Sequence, residues 1–107
     1  MKDFKIAIFD MEWTSWKGSH ERNWSHSWEK KEIVQIGVSI SKNLNKLERK
    51  KNFFFKVKKK KLSKYFQILT GISQNHYNRF SKPFNENFLK FKLLIIDSDF
   101  IVCNGKD

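Results

Sequence analysis

Asp10 and Glu12 stand two residues apart at the end of an apolar run, Ile6-Ala7-Ile8-Phe9. In extended backbone, residues i and i+2 leave the same face of a strand, so the two carboxylates project together. Carboxylates held side by side repel unless a cation lies between them, and hard divalent ions such as Mg²⁺ take oxygen ligands of this kind. The pair reads as half of a metal site at the C-terminal end of a strand; the plainer alternative is a solvated strand end. Trp13 and Trp16 lie next to the acids. They could stack on a nucleobase, a contact contributing about 1–3 kcal/mol per base, or simply close a small core. His20 and His26 sit in the same polar stretch without partner cysteines, which favours surface histidines over a zinc pair.

The elements that must position these groups follow from periodicity. Four apolar residues in a row, Ile6 to Phe9, match a strand buried on both faces, the pattern of a central parallel strand. Residues 14–31 form a long polar loop, and four tryptophans within residues 13–28 carry too much apolar surface for simple disorder. Val34, Ile36, Val38 and Ile40 then alternate with Gln35, Gly37 and Ser39, a half-buried second strand. Residues 42–51 read as a charged connection. Phe53, Phe55 and Val57 form a third strand ending in the lysine run 58–61, either a solvated strand end or a phosphate contact.

Leu62, Phe66 and Leu69 fall at helical spacing before Gly71, a good helix terminator. Residues 72–81 read as irregular or a brief helical turn. Phe84, Phe88, Phe91 and Ile95 mark a helix after Pro83. Phe100-Ile101-Val102-Cys103 is a second doubly buried run, followed by Asn104-Gly105-Lys106-Asp107. The order β-β-β-α-α-β points to an α/β fold with a mixed sheet: strands 1–3 antiparallel, and strand 4 parallel to strand 1 by a right-handed crossover. That arrangement brings Asp107 towards Asp10 and Glu12 at the C-terminal ends of parallel strands, where open α/β sheets bind ligands.

Composition sets the class of partner. With 22 Lys+Arg against 11 Asp+Glu, the 107-residue chain carries +11, which favours a polyanion such as nucleic acid. No apolar run approaches the ~20 residues needed to span a bilayer, and no basic amphipathic helix with a clean apolar face suggests a membrane surface. The single cysteine excludes an internal disulfide framework and fits a reducing compartment, so a cytoplasmic protein is expected.

Several ordered motifs then resemble one family, the DEDD 3′–5′ exonucleases of ribonuclease H-like fold. Ile6 to Thr14 looks like the family's apolar strand followed by D-x-E-x-T. Glu32-Ile33-Val34-Gln35-Ile36-Gly37-Val38 looks like its second strand, Leu69-Thr70-Gly71-Ile72-Ser73 like its L-T-G-I-[ST] turn, and residues 101–107 like the strand delivering the second-motif aspartate. The Trp-rich loop and the E-W-T variant are similar to the short-RNA-trimming branch rather than to proofreading subunits.

The resemblance implies a metal-dependent exonuclease that releases nucleotides from the 3′ end of single-stranded RNA or DNA. Two Mg²⁺ or Mn²⁺ ions, about 4 Å apart, would clamp the scissile phosphate. Asp10, Glu12 and Asp107 would be catalytic metal ligands. Trp13, Thr14, Trp16, Thr70, Gly71, Ile72 and Asn104 would contact substrate. One departure stands out: the family's histidine general base and fourth carboxylate come from an H-x4-D motif that residues 1–107 lack. The chain is therefore expected to be the N-terminal portion of an exonuclease domain, truncated before the fifth strand and strongly impaired, since lost acid–base help alone removes about 10²–10⁴-fold. A non-catalytic nucleic-acid-binding remnant is the alternative. The open edge of the last strand invites association, homodimerisation included.

Overall fold

The computed structural model describes residues 4–43 and 46–103. Its elements run β1 (Lys5–Trp13), α1 (Ser19–Arg22), β2 (Ile33–Lys42), β3 (Lys46–Phe55), α2 (Lys64–Thr70), α3 (Gln74–Phe80), β4 (Ser81–Lys82), α4 (Phe84–Ile95) and β5 (Phe100–Cys103). The strands form one mixed sheet in the order β4-β3-β2-β1-β5. β1, β2 and β3 are an antiparallel meander, and β5 lies parallel to β1 with Ile6 opposite Phe100 and Phe9 opposite Cys103. Class, meander and parallel last strand agree with the sequence reading. Asp99 starts β5 beside β1 through reciprocal bonds: Lys5 N–H donates to Asp99 Oδ2 at 2.8 Å, and Asp99 N–H to Lys5 O at 2.9 Å.

Strand alternation sorts the apolar residues into two clusters. Ala7, Ile36, Val38, Ile40, Phe53 and Phe55 pack with Phe91 of α4 on one face of the sheet. The Phe91 ring meets Phe9 and Phe53 edge-on at 5.3 and 6.2 Å, pairs that each contribute about 0.5–1.5 kcal/mol beyond their buried area. Asn87, buried on the same helix, donates Nδ2–H to the Phe54 carbonyl at 2.8 Å, which supplies a partner for its own amide in the interior. Val34, Phe54, Val57, Leu62, Phe66, Ile72 and Tyr77 make the second cluster with α2 and α3. Ser63 and Ser73 cap those helices, their hydroxyls accepting from the N–H of Phe66 and His76.

Five expectations need correction. Val34 does not share a side with Ile36: pairing passes from Glu12↔Gln35 to Trp13↔Ile33, so Val34 is the extra residue of a bulge, which turns it into the second cluster. β3 spans Lys46–Phe55 rather than Phe53–Val57: Lys42 pairs directly with Lys46, residues 49–52 are strand whose side chains face water, and Val57 lies past the strand in the second cluster, not with Phe53 and Phe55. Leu69 is exposed and Leu62 precedes α2; Ile72 takes the place of Leu69 in the core. Residues 74–80 are a two-turn helix, followed by the two-residue β4 parallel to β3. Finally, β5 is not doubly buried: Phe100, Ile101 and Val102 are about half exposed, because β5 is an edge strand and α4 packs over β1–β3 instead.

Candidate active site

β1 builds the site by leaving the core as it goes. Ile6 and Ala7 are buried, Ile8 and Phe9 half-buried, Asp10 exposed and Glu12 half-buried. Phe9 and Met11 pack towards α4, so by alternation Asp10 and Glu12 project from the opposite face. Their Cα atoms are about 7 Å apart at ~3.4 Å rise per residue. Asp10 pairs with Gly37 and Glu12 with Gln35. The absence of a side chain at Gly37 matters here: a Cβ would lie 2.9 Å from Asp10 Oδ1 and 3.1 Å from Asn52 Oδ1. Asp10, Gln35, Gly37 and Asn52 line an open concavity of about 380 Å³.

The long loop is fastened beside this face by Thr14. Its hydroxyl donates to Lys30 O at 2.6 Å and accepts from Glu32 N–H at 2.9 Å, while Thr14 N–H donates to Glu32 O and Trp24 Nε1–H to Thr14 O. Thr14 is buried. Trp13 and Trp16 are half-buried, each with a lysine over its ring, Lys31 at 4.8 Å and Lys59 at 5.1 Å. Both histidines of the loop are exposed and lie against tryptophan: His20 edge-on to Trp24, His26 stacked on Trp28. Lys59 is more than a solvated strand end, for its ammonium also donates to Trp28 O at 2.8 Å.

Among the described residues, no three His, Cys, Asp or Glu side chains come together as a metal-binding group. Asp10 and Glu12 supply two carboxylates; Asp107 and Asn104 lie outside the described residues. The oxygen donors around the concavity are the Asp10 carboxylate and the side-chain amides of Gln35 and Asn52, with the Lys50 ammonium at its rim. With Glu12 on the same face, the carboxylates present suit Mg²⁺ or Mn²⁺ better than zinc.

No protein-family model and no curated protein matches the sequence. Solved structures match closely in shape. A full-length 3′-exonuclease superposes with a TM-score of 0.76 at 19% identity, over 99% of this chain and 48% of that one. A 3′-exonuclease in specific recognition of the 3′ end of a histone mRNA stem-loop gives 0.74 at 20% identity, over 95% and 36%. Cell-death related nuclease 4 gives 0.70 at 21% identity, over 95% and 35%. The fold is that of the 3′-exonucleases. The chain spans about half the length of the first of these nucleases and about a third of the other two.

Within this exonuclease-like fold, the turn after α2 has a structural reason for each residue. Gly71 adopts φ +76 as the helix cap, a backbone that strains any L side chain. Thr70 Oγ1 donates to Phe66 O at 2.8 Å and accepts Ile72 N–H at 3.2 Å, and Ile72 is core. The turn sits on the carboxylate face, because Ile72 packs in one cluster with Phe54, which stands opposite Gln35 in the row of Glu12.

Sequence reasoning missed the group that rigidifies the loop. Glu29 is buried and accepts from Arg22 Nε and Nη2 at 2.9 and 2.7 Å, from the Ser19 hydroxyl at 2.5 Å and from His26 N–H at 3.1 Å. The Arg22 hydrogen bonds, helped by Ser19 and His26 against the effect of burial, hold its carboxyl at about 2. The available signal was Arg22 seven residues before Glu29, as the one arginine of the loop. No described helix is long and apolar enough to cross a membrane.

Proposed function

We propose that this chain carries the first carboxylates of a metal-dependent 3′–5′ exonuclease domain acting on the 3′ ends of single-stranded nucleic acid, RNA in preference to DNA. One observation carries the reading: Asp10 and Glu12 project together from one face of an exonuclease-like sheet, with the space of Gly37 beside Asp10. Support for RNA comes from the neighbouring 3′-exonuclease that recognises a histone mRNA stem-loop.

Asp10 and Glu12 would hold Mg²⁺ or Mn²⁺, with Asp107 as a further ligand in a two-ion site. Bound there, the ions supply an activated water and stabilise the leaving 3′-oxygen. The chain's own groups orient the strand end. Thr14 fixes the loop that carries Trp16. Trp13, Trp16, Thr70, Gly71, Ile72 and Asn104 would be the groups that bound the terminal nucleotide, although Trp13 pairs with Ile33 on the α4 side of the sheet. The exposed thiol of Cys103 suits a reducing, cytoplasmic setting.

A reading as a binding module without turnover is favoured by the histidines. His20 and His26 lie against tryptophans of the loop, and His76 packs between Phe54 and Phe80; none of the three lines the concavity at Asp10. In both readings the 107-residue chain should bind a single-stranded oligoribonucleotide more tightly with Mn²⁺ than with EDTA. The enhancement should vanish in Asp10→Ala. Prolonged incubation of a 5′-labelled strand separates the two: slow shortening from the 3′ end marks the enzyme, an unchanged strand the binding module. Cation-independent binding that survives Asp10→Ala would contradict both.

A further inference from the structure

Gly37 and Gly71 are glycine for different reasons. Gly71 needs its backbone, and a Cβ there would meet nothing within 4 Å. Gly37 has ordinary strand backbone, outside the left-handed region, where glycine is otherwise unfavourable. What requires glycine at Gly37 is space. Asp10 approaches it from β1 and Asn52 from β3, since Gly37 pairs with both. Ser39 likewise stands between Ile8 and Lys50, so alternation brings Lys50 to the same face, one row from Asn52. Asn52 and Lys50 share the 380 Å³ concavity with Asp10, and both side chains are exposed. Among the described residues, no carboxylate pairs with Lys50.

We propose that Asn52 and Lys50 form a phosphate-binding wall facing Asp10, and that Gly37 is the positioning residue that keeps the gap between them open. With a divalent cation held by Asp10, the Asn52 amide would donate to the phosphate bound by that cation, and the Lys50 ammonium would neutralise the neighbouring phosphate of the same single strand. The strand's backbone thus crosses the meander from β1 towards β3. The wall rests on the carboxylate reading above and extends it to residues outside the D-x-E pair.

The test is fluorescence anisotropy of a 5′-labelled single-stranded oligoribonucleotide against the 107-residue chain, with Ca²⁺ and with EDTA, over a series of salt concentrations. Lys50→Ala should weaken binding and reduce the salt slope by about 0.7, the value of one phosphate contact on a single strand. Lys90→Ala, on α4 behind the other face, should leave the slope unchanged. Asn52→Ala should weaken binding in Ca²⁺ more than in EDTA. Gly37→Ala should raise the Ca²⁺ concentration for half-maximal enhancement by about 10–100-fold, the range for residues that orient metal ligands, with melting temperature unchanged or higher. Equal slopes for Lys50→Ala and Lys90→Ala would overturn the wall, and wild-type Ca²⁺ dependence in Gly37→Ala would overturn the positioning role. Wild-type binding that ignores Ca²⁺ would contradict the carboxylate reading, while the Lys50 and Lys90 slopes would still decide the wall.

Discussion

On one face of β1–β2–β3, Ala7, Ile36, Val38, Ile40, Phe53 and Phe55 close against Phe91 of α4; on the other, Asp10, Gly37, Asn52 and Lys50 surround an open polar concavity. The same strands supply both, by alternation alone. The covered face places apolar surface out of water, the largest favourable contribution to folding. The other face buries the second cluster under α2 and α3 around Phe54 and Ile72. The part of it around Gly37 is left uncovered, and there Asp10, Asn52 and a lysine that pairs with no carboxylate among the described residues come together. Around Gly37, stability and chemistry are thereby divided between Phe9 and Met11 on one side of β1 and Asp10 and Glu12 on the other, and substitutions on the two sides should have separable consequences.

The largest effect is expected on the covered side. Phe91→Ala should destabilise the fold by about 3–5 kcal/mol, a large part of the ~5–15 kcal/mol available to a domain. Urea denaturation measures it; a loss below ~1 kcal/mol would show that α4 is not the lid of that core. Asn87→Leu, on the same helix, should cost about 1–3 kcal/mol, because it removes a buried donor from the Phe54 carbonyl. A neutral result would mean that this carbonyl is satisfied without Asn87.

The loop should respond to acid. Glu29 has a folded value of about 2 against an ordinary 4.5, so its contribution is complete above about pH 4.5 and is lost as pH falls from there through 2. The urea midpoint should drop across that window in the wild type and change less in Glu29→Gln. Parallel curves would remove Glu29 from the acid response. The smallest stability effect belongs to the open face: Asp10→Ala should stay within ~0.5 kcal/mol of the wild type, as exposed positions generally do. A larger loss would break the division between the faces.

Much of this division was legible in the sequence, because period-2 alternation in residues 35–40 and the i, i+4, i+7 spacing of α4 are direct consequences of strand and helix geometry. The D-x-E pair could be placed on one face for the same reason. Val34 escaped because a bulge depends on pairing with β1, which no local pattern of β2 reveals. The lysine-rich start of β3 looked like a loop because its strand character comes from backbone pairing with β2, not from apolar side chains. β5 misled in the other direction: four apolar residues in a row specify extended backbone, but neighbours decide whether they are covered. Glu29 and Arg22 carried no periodic signal at all, and Gly37 could be assigned to the polar face without any indication that Asp10 and Asn52 converge on it.

The most direct test of the carboxylate face is a calorimetric titration of Mn²⁺ into the 107-residue chain and into Asp10→Ala, with melting curves confirming that both are folded. Saturable Mn²⁺ binding in the wild type, lost in Asp10→Ala at an unchanged melting temperature, is the predicted result. Equal Mn²⁺ binding in the two proteins, or none in the folded wild type, would contradict the assignment of Asp10 and Glu12 as metal ligands.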